Sequence, residues 1–364
     1  MIDEQLKQLK DIYNSYFKFM SSRLIGMEHQ IKKAFLTFMA NGHLLIEGPP
    51  GLGKTTFVKH FSNFFDLSFS RIQFTPDLMP LDIIGSNIIQ EEENGKKRFV
   101  FYKGPIFANI VLADEINRAT PKTQSACLEA MEEKKITFLG KTYDLPKPFM
   151  LIATQNSIDL EGTYPLPEAQ VDRFFMKIYT DYPEFKILKQ IVEKNEIWQV
   201  EENITNTSDI SSDNDPYEKS NDKKQDLDKI QSKQQEKQAF IMPFQNLKEL
   251  ASLESQVVVL EEFRQMISQI VVQTHPDQTE SELVKNYILY GASPRAAIAL
   301  MRGAKWNALI NGRLNMAFDD ILDLAFDVLN HRIMLNFEGE SSSVDKKGII
   351  EDLLFRTKRT YIGN

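Results

Sequence analysis

An apolar run, Leu44-Leu45-Ile46-Glu47, leads directly into Gly48-Pro49-Pro50-Gly51-Leu52-Gly53-Lys54-Thr55-Thr56, a GxxxxGK[ST] loop that opens a helix. No other stretch limits the fold so tightly. Glycines at 48, 51 and 53 let successive backbone N–H groups turn inward as an anion nest, Lys54 can reach terminal phosphates, and the Thr55 hydroxyl can bind Mg²⁺. Downstream, Phe57, Val58, Phe61, Phe64 and Phe65 recur at helical spacing. The N-terminus of that helix adds a positive partial charge to the nest. A bare glycine loop is a tight strand-to-helix turn. With a strand before it and an amphipathic helix after it, the loop reads as a nucleotide phosphate site, at residues 48–56.

Five short apolar runs punctuate the first half: Leu44–Glu47, Arg71–Phe74, Asn109–Asp114, Phe149–Thr154 and Phe174–Tyr179, with helical segments between several of them. That alternation predicts a mainly parallel sheet covered by helices. Two β-hairpins interrupt it, one pairing Asn87–Glu91 with Arg98–Tyr102 around Asn94-Gly95, the other spanning Thr137–Tyr143 around Gly140-Lys141. From Glu201 to Gln238 the chain turns to Asp, Glu, Lys, Gln, Ser and Asn. Too little apolar surface is available there to offset ordering, which costs roughly 1–2 kcal/mol per backbone residue. The segment reads as a disordered linker, with a charged surface helix over Asp222–Lys237 as the alternative. Beyond Phe240 helical spacing returns at Glu261–Gln273, Ser281–Tyr290, Ser293–Asn311, Phe318–Leu335 and Lys346–Leu354. The expected division is a nucleotide-binding core at 1–200, a linker at 201–239 and an all-helical second domain at 240–364.

Composition narrows the function. A net charge of −8 does not favour a nucleic-acid backbone as partner, so the phosphate loop serves free nucleotide. No run approaches the ~18 apolar residues of a membrane span, and the start Met1-Ile2-Asp3-Glu4-Gln5 lacks the basic and apolar regions of a leader, so a cytoplasmic location is expected. Cys127 is the sole cysteine, which excludes an intramolecular disulfide or a cysteine zinc cluster. His29, His43, His60, His275 and His331 lack metal-ligand spacing and read as structural.

Ile110-Val111-Leu112-Ala113 ends in the adjacent carboxylates Asp114 and Glu115, a Walker B arrangement. Asp114 can hold Mg²⁺ through a water, and Glu115 can polarise the attacking water. Taken alone, an acidic pair at a strand end is ordinary; coupled to a phosphate loop it becomes hydrolytic chemistry. The buried strand Phe149–Thr154 runs out to Gln155-Asn156. Asn156 is either a turn residue or an amide that orients the same water.

These motifs, with Ala113-Asp114-Glu115-Ile116-Asn117-Arg118-Ala119, Lys122–Ala126, Glu129-Ala130-Met131-Glu132-Glu133, Ala153–Asn156, Gly162–Gln170, Asp172-Arg173-Phe174 and Gly291-Ala292-Ser293-Pro294-Arg295-Ala296, resemble the MoxR family of AAA+ ATPases. The resemblance covers nearly the whole chain except 201–238 and the last residues. It implies a phosphate-loop αβα sandwich with a five-stranded parallel sheet of order 5-1-4-3-2, plus a helical lid. Asn156 then matches sensor 1, and Arg173 matches the arginine finger that reaches the γ-phosphate of a neighbouring subunit, with a salt bridge to a nearby acid as the alternative. Arg295 matches sensor 2, and the resemblance leaves open whether it acts within its own subunit or across the interface. Ser293 is a good N-cap and Pro294 a good first helical residue, so Arg295 lies where the macrodipole disfavours a cation. An anion, whether phosphate or carboxylate, would offset that. Ile25-Gly26 matches the segment whose backbone contacts adenine, with Met27 where members commonly have Gln. The hairpins resemble the insertions of this clade, and packing is the plainer role for the rings of Phe99, Phe101 and Tyr102.

The implied function is ATP hydrolysis with Mg²⁺ in a ring, expected to be hexameric, that remodels or matures protein clients alongside von Willebrand factor A domain proteins. A nucleic-acid motor is the rival reading, disfavoured by the acidic balance. A GTPase or nucleotide switch is disfavoured by the absence of an Asn-Lys-x-Asp motif and by the presence of Glu115, Asn156 and Arg173 together.

Overall fold

The computed structural model describes residues 2–91, 97–156, 162–194 and 247–361. The expected linker at 201–238 and the hairpin tip at Asn94-Gly95 lie outside them.

The predicted strands form at β1 (Leu44–Glu47), β2 (Phe69–Gln73), β5 (Ile110–Asp114), β8 (Met150–Gln155) and β9 (Met176–Tyr179), between the hairpins β3 (Gly85–Glu91) with β4 (Lys97–Lys103) and β6 (Lys135–Phe138) with β7 (Lys141–Asp144). The five-stranded sheet runs β2-β5-β8-β1-β9, every pairing parallel, which is the expected order. Residues of β5 are buried throughout, and those of β8 as far as Thr154, because helices cover both faces.

On one face lie α1 (Ile2–Ser21), α2 (Glu28–Met39) and α3 (Lys54–Phe64); α4 (Pro80–Ile84) and α5 (Pro121–Glu133) belong to the other, where Ile83, Leu128 and Met131 pack with Val111, Leu151 and Phe174. Tyr16 of α1 is fully buried among Phe35, Phe61, Phe64 and Phe65, and its hydroxyl donates to Ile31 O at 3.0 Å. The same core continues into α9 (Glu261–Val272), α11 (Pro294–Ile310), α12 (Phe318–Leu329) and α14 (Lys346–Tyr361). Here α6 is Glu168–Val171, α7 is 185–194, α8 is Leu253–Gln256, α10 is Glu282–Tyr287 and α13 is Phe337–Ser341. Lys33 of α2, with no side-chain exposure, meets Asp323 at 3.1 Å and Asp327 at 3.2 Å on α12. An ion pair therefore joins the N-terminal helices to the C-terminal ones across the core.

Three C-terminal expectations change. The helix expected over 281–290 stops at Tyr287, since Ile288–Tyr290 extends as β10 and pairs antiparallel with β11 (Met334–Leu335). An apolar, β-branched and aromatic triplet before Gly291 suits that pairing, so the region is helical with one small strand pair. The helix expected to Leu335 ends at Leu329, where Asn330, His331 and Arg332 turn to bond the chain around β9. The last helix runs on to Tyr361. Among the described residues no helix is long and apolar enough to cross a membrane.

Candidate active site

In a parallel sheet the loops after each strand gather at one edge. Gly48, Asp114 and Asn156 follow from or end β1, β5 and β8 in adjacent or next-adjacent positions, so the phosphate loop and the acidic pair flank β8, about 10 Å apart at ordinary strand spacing. Gly51 (φ 81°) and Gly53 (φ 74°) hold left-handed conformations, and a Cβ at either would meet no atom within 4 Å. Backbone shape, and not crowding, therefore requires glycine at both positions. Helix α3 begins at Lys54 with Thr55 and Thr56 in its first turn. Lys54 Nζ donates to Gly48 O and, at 3.3 Å, to Gln155 O. Burial pulls its pKa down, countered by Asp114, Glu115 and Glu47.

Asp114 Oδ1 accepts from Thr154 Oγ1 at 2.6 Å, while Oδ2 accepts from Arg71 Nε at 2.9 Å and Nη2 at 2.7 Å. Thr154 Oγ1 also accepts from Glu115 N at 2.9 Å, so one buried hydroxyl ties both carboxylate residues together. Glu115 is left-handed (φ 57°, ψ 48°), a conformation that costs a non-glycine residue about 1–2 kcal/mol. That bend turns its side chain toward Gln73 Nε2, which donates to Oε2 at 2.9 Å, and Arg118, 3.3 Å away. Gln124 of α5 reaches Ile116 O, Ala119 O and Tyr164 O at 3.0–3.2 Å, which fixes the loop behind the acidic pair. Among the described residues no cluster of three or more His, Cys, Asp or Glu could hold a metal. Mg²⁺ does not need one, because it commonly takes one or two protein oxygens together with substrate phosphates; the Thr55 hydroxyl and the Asp114 carboxylate fit that demand.

Gly26 (φ 77°) approaches α7 so closely that a Cβ would lie 2.6 Å from Ile187 Cγ2. Gln30, one turn into α2, donates to Tyr179 O at 3.3 Å, and Tyr179 pairs in register with Glu47. Ile25-Gly26 therefore sits toward the phosphate-loop edge of the sheet. Met27 is buried in the core.

Arg173 and Arg295 lie at the other edge. Arg173 precedes β9, whose first residue pairs with Leu44, so the length of β1, about 13 Å, separates it from its own phosphate loop. Arg173 Nη2 meets Glu132 Oε2 at 2.9 Å and Nη1 donates to Leu128 O at 3.1 Å; its buried Nε has no hydrogen-bond partner among the described residues. The Ser293 cap and the Pro294 start form as expected, with Ser293 Oγ accepting from Arg295 N at 3.2 Å. Arg295 meets Glu132 Oε1 at 3.0 Å and Asp172 Oδ2 at 3.3 Å, so carboxylates offset the dipole penalty. Asp172 is held in turn by Ser293 Oγ at 2.9 Å and by Arg332 Nε at 3.0 Å. Burial pulls the Arg332 guanidinium down to about 10, countered by Asp172, and it remains charged at neutral pH. Glu132, Asp172, Arg173, Arg295 and Arg332 line a cavity of about 240 Å³.

Sequence reading missed Arg71, Gln73, Thr154, Glu132, Asp172 and Arg332. Arg71 and Gln73 share one face of β2 by their spacing of two, a signal that was present; Arg332, 160 residues from Asp172, left none. The hairpin rings divide. Phe101 packs as expected, stacked on Tyr143 at 4.4 Å and near Phe138 at 5.1 Å, whereas Tyr102, on the opposite side of β4, and Phe99, on the same side but nearer the Lys97 end of the strand, are exposed.

Residues 43–176 match the family profile described as ATPase family associated with various cellular activities (AAA), and residues 280–353 match AAA lid domain. The chain is 33% identical over 332 residues to chaperone MoxR1 of Mycobacterium tuberculosis, spanning 91% of this chain and 78% of that protein. It is 36% identical over 337 residues to the uncharacterised protein YeaC of Bacillus subtilis, spanning 92% and 91%. A solved structure of a candidate ATPase from Cytophaga hutchinsonii superposes with a TM-score of 0.77 at 34% identity, covering 96% of each chain.

Proposed function

The chain belongs to the MoxR family of AAA+ ATPases, and from that membership we propose that it hydrolyses ATP as a magnesium-dependent hexameric ring that remodels or matures protein clients. The chain is an ATPase of a chaperone-like family. In this reading the N–H groups of Gly48–Gly53 and the Lys54 ammonium bind phosphates, with Thr56 completing the first turn. The Ile25-Gly26 backbone contacts adenine. Thr55 and Asp114 would hold Mg²⁺, which supplies positive charge to the β- and γ-phosphate oxygens. Glu115 accepts the proton of the attacking water while Gln73 and Arg118 fix its carboxylate, and Asn156 orients the water. Arg173 and Arg295 both donate to the transferring phosphoryl group of a neighbouring subunit.

One observation carries the ring: both arginines share Glu132 at the sheet edge opposite their own phosphate loop. A lone subunit would then have Lys54 and Mg²⁺ but no arginine at the γ-phosphate, and an arginine supplied in trans contributes about 10³–10⁵ in rate. The test mixes Lys54→Ala with Arg173→Ala. Recovered activity in the mixture, with wild-type turnover rising with protein concentration, supports the ring; turnover independent of concentration and no recovery refute it.

Clients and von Willebrand factor A domain partners belong to the same proposal, as do a cytoplasmic location and the division at 1–200, 201–239 and 240–364. Capture of protein partners by Glu115→Gln held in ATP tests the first; stimulation of turnover by nucleic acid instead would favour a nucleic-acid motor. First cleavage by protease between 201 and 238 tests the division.

A further inference from the structure

Glu132 stands where the two arginines converge. One oxygen of its carboxylate takes Arg173 and the other takes Arg295. Its side chain is 42% exposed, and ion pairs at that exposure add little to stability, so a purely structural role explains the arrangement poorly. Two guanidinium groups converging on one spot repel each other unless an anion lies between them. The charged residues lining the cavity are Arg173, Arg295, Arg302 and Arg332 against Glu132 and Asp172; Arg302 is paired with Glu254, which leaves one positive charge in excess. Arg173 also keeps a buried Nε–H that no group satisfies among the described residues. A site built this way is one anion short.

We propose that Glu132 is the positioning residue for Arg173 and Arg295, bridging them at the spacing in which they meet the phosphoryl group of the neighbouring subunit. The inference rests on the proposal that both arginines act in trans. A carboxylate presents two oxygens much as a phosphate does, and arginine forks match both geometries. Bridged by Glu132, the pair is preset before a neighbour arrives, and little side-chain freedom remains to be lost in the transition state. Arg295 has a second tether in Asp172, whereas among the described residues Arg173 meets no other carboxylate and bonds otherwise to Leu128 O. Loss of Glu132 therefore acts chiefly through Arg173.

The test uses Glu132→Gln in the full chain, which keeps the shape and removes the charge. Turnover and KM are measured at protein concentrations where wild-type activity has saturated, alongside binding of a fluorescent ATP analogue and a thermal melt. The expected result is a kcat at least tenfold lower with nucleotide affinity and melting temperature little changed. The double variant Glu132→Gln/Arg173→Ala should be no slower than Arg173→Ala alone. A kcat within twofold of wild type, a faster enzyme, a protein that fails to fold, or losses that multiply in the double variant would each overturn the inference. Failure of the trans reading looks different: wild-type turnover would be independent of protein concentration, and mixing Lys54→Ala with Arg173→Ala would recover no activity.

Discussion

Thr154→Val removes one hydroxyl that serves two carboxylate residues. Its Oγ1 donates to Asp114 Oδ1 at 2.6 Å and accepts from Glu115 N at 2.9 Å, in a residue 1% exposed. A hydrogen bond to a charged group contributes about 1.5–3 kcal/mol and a neutral one about 0.5–1.5 kcal/mol. Asp114 still accepts two N–H groups from Arg71 and is not orphaned, so its share of the loss lies at the low end. The Glu115 N–H is left without that acceptor, and the left-handed bend at φ 57° loses the bond that restrains it. We expect a destabilisation of about 2–3 kcal/mol by those magnitudes. Turnover should fall about 30-fold, equivalent to about 2 kcal/mol in the barrier, as the Glu115 carboxylate drifts from Gln73 and Arg118. Urea unfolding reads the first quantity and steady-state ATPase assays the second, with ATP-analogue binding confirming an intact phosphate loop. Thr154→Ser keeps the hydroxyl and should stay within threefold of wild-type turnover. A Thr154→Val protein with wild-type stability and turnover would refute the argument that this hydroxyl holds the acidic pair.

Glu115→Gln should bind ATP normally and lose nearly all turnover, because an amide cannot take the water's proton; comparable hydrolysis rates would remove Glu115 from the mechanism. Chelation with EDTA should abolish turnover and added Mg²⁺ restore it, and metal-independent hydrolysis would exclude the roles given to Thr55 and Asp114. Lys33→Met should cost about 3 kcal/mol in urea unfolding, the low end for breaking a buried pair, because Asp323 keeps Lys32 at 2.9 Å and Asp327 keeps His29 at 3.2 Å; a stabilised protein would contradict this. Burial holds His43 neutral with its pKa lowered to about 4, against about 6.5 when unfolded. The unfolded chain thus binds more protons between those values, and stability is full above pH 6.5 and falls as pH drops, by about 2 kcal/mol at pH 5. A His43 imidazole resonance that titrates near pH 6.5 in the folded protein would disprove that.

Much of the catalytic edge was legible because its signals are short. The strand entering Gly48, the helix leaving Lys54 and the run into Asp114-Glu115 each encode their structure within about ten residues. The Ser293 cap and the Pro294 start, likewise local, formed as read. What escaped was contact between distant segments. Thr154 looked like one more strand residue until β8 settled between β1 and β5 and set its hydroxyl beside Asp114. The expected helix over 281–290 failed at Ile288 because the chain found a strand partner at Met334–Leu335, which no local propensity announces.

By itself, the sequence determined that this chain must build a glycine loop suited to phosphate on a parallel sheet and end a second strand in a carboxylate pair; the family resemblance supplied the strand order. Backbone conformation at Gly51 and Gly53, apolar periodicity and capping are properties of neighbours along the chain, and they can be read without knowing where the chain goes. Only the tertiary structure decided where Arg173 and Arg295 stand. The dipole argument required an anion near Arg295 and could not choose between phosphate and carboxylate. Packing of α11 against α1, α2 and α12 set Arg295 beside Glu132, 163 residues away, at the sheet edge opposite the subunit's own loop. Charge at a distance is satisfied by whichever group the fold delivers, and that delivery depends on every helix and strand in between.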